Sequence, residues 1–514
     1  MWAAFALSRP DSPPLDVGRS QAEQLARDAL AARGVELDAR WRALPRLDAS
    51  PAQPHDFVWR TAGADLYAGL LGQYLPGPNW TVRFARFTGD VAERAEEYQV
   101  SVVGGGRVTR VQHRLAEDAS APSLSEAEAR ALAARALRDP FETDVETVKE
   151  SEASPSKHKN RTDWLFTFSV PVHPPLEQGD TRAAVSIGGN EVADAWRFVH
   201  VPEDWERAER ERQALLGAIG IGATALLAAA VIGGIIIAIV SWVRRRFSLR
   251  AFLVLAPLLF LANLLSRLNG LPTLTALFST AQPYDLQLAV IGVSLLIALT
   301  VMALGLAVLG GYVIGLAKEP HSSAARRWVL GASVGFLVAG LGAAFARLGP
   351  SLSPSWADYG PLASYVPWAL PPLSAVTQVL GASIVGWLLL VALDALTAAW
   401  TERRAAAIAL VLFLGLVLTG ARGIESLTGW AVGGLFAGCF LLAAYALVLK
   451  AAPEIVPAAV ASVMAAGVVK AAIGGAYPGV GVSSVLSMAA LACSAWLLVR
   501  LAQRRGQQGT SAHL

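Results

Sequence analysis

Residues Leu215–Val243 carry no charged side chain and are closed by Arg244, Arg245 and Arg246. At about 1.5 Å rise per residue, a helix of this length exceeds a hydrocarbon core of about 30 Å. It has no polar stripe, so it is not the half-exposed helix of a soluble domain. The chain before it is mixed and polar, and most of the chain after it is again apolar. The chain therefore reads as a water-facing head joined to a polytopic membrane body.

Eight further apolar stretches lie near 249–266, 286–315, 328–346, 373–398, 405–421, 428–449, 456–472 and 480–499, giving about nine spans. Alternate connections differ in basic charge. One set holds Arg244–Arg246 and Arg250, Lys318 with Arg326 and Arg327, Arg403 and Arg404, Lys450, and Arg500 with Arg504 and Arg505. The other holds only Arg267, Arg347, Arg422 and Lys470. By the positive-inside rule the first set and the C-terminus are cytoplasmic, and the head is extracytoplasmic. The net charge of +3 is then topological and carries no nucleic-acid signal. The two cysteines, Cys439 and Cys493, both fall in spans, which excludes a disulfide framework and a cysteine-built metal site.

The head shows an order that occurs twice. Ser20–Arg33 is an amphipathic helix with Ser20 and Glu23 in capping spacing, followed by strands at 80–87 and 97–103, Gly104-Gly-Gly106, and a returning strand at 107–115. Leu124–Leu137 repeats the helix with Ser125 and Glu128, then come a strand at 164–170 and a hairpin of 182–187 and 191–201 around Gly188-Gly-Asn190. The division this implies is 1–18 as a linker or the stub of a membrane helix, 19–118 and 119–203 as two α+β repeats, 204–214 as a charged stalk, 215–503 as the membrane domain and 504–514 as a cytoplasmic tail. The apolar Met1–Leu7 fits either a plain N-terminus or the remnant of a helix encoded upstream. The glycine turns do not open a helix after a strand, so they are hairpin turns and not phosphate cradles. The head histidines have no i, i+4 pairing, and no metal or other cofactor is implied.

Ionisable groups at membrane depth are the first candidates for chemistry. These are Asp394, near the cytoplasmic end of the fifth span, and Glu425, expected to pair locally with Arg422. Asn263 and Gln378 are expected to bond between helices. Gly331-Ala-Ser333-Val-Gly335 matches a nucleophile motif by letter, but no histidine lies between His321 and His513 to act as base, so close helix packing is the reading. No H-E-x-x-H and no paired aspartyl motif occurs.

The segments TVRF at 81–84, EEYQVSV at 96–102, Arg161–Trp164 and GGNEV at 188–192 running on to FVHVPEDWER at 198–207 resemble a PepSY-like extracytoplasmic region. That region precedes the membrane domain in long bacterial members of the CPBP family, the CAAX-protease and bacteriocin-processing type of intramembrane protease. STAQPYDLQLAV at 279–290 resembles a loop and span found after it there. The resemblance implies two PepSY-like helix-plus-hairpin repeats above a helical membrane bundle. It also implies a catalytic E-E-x-x-x-R, an F-x-x-x-H and a later histidine, and this chain has none of them, so no catalytic residue is carried over. The expectation is a noncatalytic inner-membrane relative of that family with an external binding or regulatory head, whose ligand is a peptide, a cell-wall component or a partner protein. An intramembrane endopeptidase with an atypical site at Asp394 or Glu425, and a transporter component, are the alternatives.

Overall fold

The computed structural model describes residues 10–141, 148–317, 323–345, 351–398, 401–449 and 452–510. The 1–9 segment, Lys318, Arg347, Lys450 and residues 511–514 lie outside them.

The head contains two four-stranded antiparallel sheets, each a simple meander preceded by a helix. In the first unit, α1 (Arg19–Ala31) leads to β1 (Trp41–Asp48), α2 (Gln53–Leu70), β2 (Asn79–Arg86), the short α3 (Val91–Ala95), β3 (Glu97–Val103) and β4 (Val108–Arg114). In the second, α4 (Glu126–Phe141) leads to β5 (Lys149–Lys157), β6 (Thr162–Ser169), β7 (Asp180–Gly188) and β8 (Glu191–His200). Both glycine-turned hairpins fall where the alternation places them. The repeat is a helix with a four-stranded meander rather than a helix with three strands, because β1 and β5 are added as edge strands.

The capping expectation holds once. Glu128 accepts from the Ser125 backbone N–H at 2.9 Å, and the Glu128 N–H donates back to Ser125 Oγ at 3.4 Å. At α1 it does not: the helix starts at Arg19 with Gly18 at its cap, so Ser20 is already inside the first turn and caps nothing.

Alternation sorts each sheet into two faces. On the first, Trp80, Val82, Phe84, Val100 and Val102 are buried against Ala22, Ala26 and Leu30 of α1. On the second, Phe166, Phe168, Val185 and Ile187 are buried with Ala129, Ala133 and Leu137 of α4. The units are not separable at 118/119. Phe57, Val58, Tyr67 and Leu70 of α2, which lies within the first unit's sequence, belong to the second unit's core.

Nine helices among the described residues are long and apolar enough to cross a membrane. The first, α5 (Glu203–Val243), is a single helix of 41 residues that carries the charged stalk straight into the apolar run. Then come α6 (Leu249–Asn269), the short α7 (Leu271–Thr275), α8 (Tyr284–Gly315), α9 (Ala324–Phe345), α10 (Leu370–Thr397), α11 (Arg404–Ala421), α12 (Leu427–Ala444), α13 (Val456–Gly474) and α14 (Val480–Thr510). Glycines set the closest approaches, as expected where lipid and side chains are equally apolar. A Cβ on Gly434 or Gly438 of α12 would come within 2.7 Å of the Cα of Leu416 or Leu412 on α11. Gly331 and Gly335 of the serine motif pack on α13, where a Cβ would lie 2.9 Å from Ile455 O and 2.7 Å from Ser462 Cβ. Asn263 does not reach another helix; its side chain donates to Leu259 O one turn back, at 2.8 Å. Gln378 is exposed.

The Gly438→Leu variant should therefore destabilise the bundle by roughly 2–3 kcal/mol, because backbone cannot yield as a side-chain tip can. A thermal melt in detergent in which Gly438→Leu matches the parent would show that α11 and α12 do not meet there.

Candidate cleft between the two sheets and the membrane loops

The head is docked, not tethered. Tyr359 and Leu362 of the α9–α10 connection, with Ala476 and Tyr477 of the α13–α14 connection, complete the buried core of the first sheet. Phe278 of the α6–α8 connection packs with Leu44, Ala85 and Phe87. Polar contacts follow the same seams. Arg83 Nη1 donates to Phe278 O at 2.7 Å, Arg94 Nη1 to Thr280 O at 3.1 Å, and Trp59 Nε1 to Ser351 O at 3.0 Å. Arg212 on the stalk donates to the Glu425 carbonyl. Each of the four connections that touch the head carries at most one Lys or Arg.

Docking leaves the polar faces of the sheets uncovered by helices. Across β1 to β4 the register lines up Arg46, Thr81, Ser101 and Arg110, and beside them Arg83, Gln99 and Gln112. On the second sheet Leu165, Ser186 and Asp194 align. These faces and residues 276–281 enclose a cleft of about 980 Å3. Its charges are mostly paired. Arg83 holds Glu97, Arg161 Nε lies 3.0 Å from Asp163 Oδ1, and Arg46 Nε lies 2.9 Å from Asp48 Oδ1. Arg114 and Glu117 also line it, and among the described residues neither forms an ion pair. The cleft thus offers one open guanidinium, one open carboxylate and the amides of Gln99 and Gln112.

The two units are joined at β4 and β8 through side chains. Arg110 Nε donates to Asp194 Oδ1 at 2.8 Å and its guanidinium lies 4.8 Å from the Trp196 ring centroid. Asp194 is only 3% exposed, so the guanidinium neutralises a buried charge. His113 bridges Glu191 at Nδ1 and Glu96 at Nε2, and its ring stacks on Tyr98 with centroids 4.2 Å apart. Burial alone would lower its pKa, but the hydrogen bonds and charges of Glu191 and Glu96 prevail and push it up to about 9. His55 is the opposite case. It is 1% exposed, lies against Trp356 of the α9–α10 connection and 3.2 Å from Tyr67 Oη, and burial lowers its pKa to about 4.

The sequence-derived candidates do not meet. Asp394 is exposed and accepts from Tyr445 Oη near the end of α10 away from the head, whereas Glu425 sits on the head side. One lies at each end of the bundle, so they cannot share a site. Glu425 also makes no ion pair with Arg422 among the described residues; its carbonyl is taken by Arg212 instead. Among the described residues no group of three or more His, Cys, Asp or Glu side chains is placed to hold a metal ion. The cleft was missed because its partners are far apart in sequence, 84 residues for Arg110 and Asp194. The polar residues on one face of the β3–β4 hairpin, Gln99, Ser101, Arg110 and Gln112, were the available signal.

No family model, no curated protein and no solved structure matches this chain.

The two histidines should give the protein a bell-shaped dependence of stability on pH. A folded pKa raised above the unfolded 6.5 means that the His113 contribution is full below pH 6.5 and is lost as pH rises toward 9. The depressed His55 pKa works in reverse, and its contribution is lost as pH falls from 6.5 toward 4. Melting temperatures taken from pH 4 to 10 should show His113→Gln flattening the alkaline limb and His55→Gln flattening part of the acid limb. An alkaline limb unchanged in His113→Gln would contradict the bridge.

Proposed function

We propose that the protein is a noncatalytic multi-pass membrane protein whose extracytoplasmic head binds an extended, polar polypeptide segment. The observation that supports this most is the cleft itself, because it is built from both sheets and a membrane loop and presents an open Arg114 and Glu117 among otherwise paired charges. Neutral pairs along the walls suit a polar chain, and Arg114 suits a carboxylate on it. The orientation rests on the charge bias of the connections, which agrees with which of them the head touches. Kinship with PepSY-bearing CPBP proteins is part of this reading and rests on the head segments at 81–84, 96–102, 161–164 and 188–207. The carboxylates at opposite ends of the bundle favour a noncatalytic role over an endopeptidase with an atypical site.

Binding of peptide arrays to the full chain in lipid nanodiscs should favour acidic sequences, and Arg114→Glu should weaken them by about tenfold, the loss of one charge-assisted contact. Equal binding by Arg114→Glu would sink the assignment of the cleft. The orientation is tested separately. Ser20 is exposed, so Ser20→Cys in a chain lacking Cys439 and Cys493 should react with a membrane-impermeant maleimide in intact cells. Reaction only after lysis would place the head in the cytosol.

A further inference from the structure

A second concavity, of about 770 Å3, lies where the stalk enters the bundle. Its walls include Gly217, Gly220 and Ile221 of α5, faced by Gly420 and Ala421 at the end of α11 and Ile424 of the connection that follows. The trough exists because side chains are missing: a Cβ at Gly217 would meet nothing within 4 Å. It runs along α5 from Leu216 to Ala228, about 18 Å at helical rise. That is close to the depth of one leaflet of a core about 30 Å thick. It begins just below the last charges of the stalk, at the level where hydrocarbon meets head group.

The mouth of the trough is charged and unbalanced. Asp56, Arg212 and Glu425 line it. Glu209, 4% exposed, takes the guanidinium of Arg60 at 3.1 Å and is also paired with Arg212. Arg212 also faces Asp56 and Glu425, and Arg60 Nη2 is buried without a hydrogen-bond partner. Asp56 and Glu425 form no ion pair among the described residues; Asp56 bonds Ser353, but its Oδ1 is buried without a hydrogen-bond partner. Arg422 is on the same turn as Glu425 but does not line the mouth. Three carboxylates face two guanidinium groups, and an unpaired buried carboxylate oxygen is costly to leave so.

We propose that this groove seats a membrane lipid with a primary-amine head group, its ammonium between Asp56 and Glu425 and one chain lying along α5. An ammonium brings three N–H donors to two acceptor-only side chains. A soluble amine would leave the apolar trough unfilled, so the occupant is an amphiphile. Phosphatidylethanolamine has this chemistry. Phosphatidylcholine lacks the N–H groups, and phosphatidylglycerol lacks the cation. This site is separate from the cleft and does not depend on it.

The test is lipid retention by the full chain, read by native mass spectrometry after reconstitution in equal parts phosphatidylethanolamine, phosphatidylcholine and phosphatidylglycerol. The parent should retain phosphatidylethanolamine about tenfold over the other two. Asp56→Asn with Glu425→Gln should abolish the preference, and Gly217→Leu should lose the retained lipid altogether, with melting temperatures confirming that both variants fold. Equal retention of the three lipids by the parent overturns the proposal, and so does a preference that survives the double substitution. A measurement on the parent alone guards against misfolded variants: a long-chain alkylammonium should raise its melting temperature and an alkyl sulfate of equal length should not. No rise with the ammonium also overturns the proposal.

Discussion

The burial of Tyr359 beneath the first sheet is the contact on which the rest of the architecture depends. Its ring is 1% exposed, and its hydroxyl donates to Pro13 O while lying 3.0 Å from Ser12 Oγ. One side chain from a membrane connection thus closes the head's own core and ties down the strap that precedes α1. Leu362, Ala476 and Tyr477 extend the same patch from two connections. A head held only by α5 would sample many orientations. Sharing a core removes that freedom, and the sheets gain a fixed direction relative to the bundle. The cleft depends on this, since residues 276–281 can form its floor only if the head is held above them.

The bundle itself is packed by close backbone contact. In lipid there is no hydrophobic drive between apolar helices, so packing depends on how near the backbones come. Gly415, Gly434 and Gly438 bring α11 and α12 to backbone contact, and Gly331 and Gly335 do the same for α9 and α13. Polar side chains in the spans mostly turn back on their own helix. Thr300, Thr419, Ser462 and Ser484 each bond a carbonyl four residues earlier. Such bonds satisfy these four hydroxyls within their own helices. The principal bond between spans at a carboxylate, Tyr445 to Asp394, lies at the end far from the head, where a π-helical turn, Tyr445–Leu449, succeeds α12.

How much of this was legible depends on how local each signal is. Spans announce themselves by length and lack of charge, and the hairpins by alternation around glycine, so both were read within a few residues. The strand β1 was not, because Pro45 interrupts an otherwise alternating run; proline is tolerated there since β1 is an edge. Likewise β5 is largely charged and serine-rich with Pro155 inside, and it too is an edge strand. The helix α2 is broken at Gly63, which has φ of 80°, and its apolar residues fit a core that forms over a hundred residues later in the chain. Its burial was therefore invisible to any local window. Asp394 and Glu425 stood out only because charge is rare in the membrane half. Rarity singled them out, but it said nothing about whether they meet.

Because the cleft has one wall on each sheet and its floor on a membrane connection, any occupant touching both would be thermodynamically linked to head docking. A ligand that touches both favours the docked arrangement by its difference in affinity between docked and undocked states, and by no more than that. The same linkage runs through the membrane surface. Arg60 comes from α2, Glu209 and Arg212 from the stalk, and the Glu425 carbonyl from the α11–α12 connection, so three parts of the chain share one charge cluster. Losing Glu209 would remove the one carboxylate that is ion-paired with both guanidinium groups, whereas losing either arginine leaves Glu209 one partner. The asymmetry makes the buried carboxylate, and not its cations, the keystone of the junction between head and bundle.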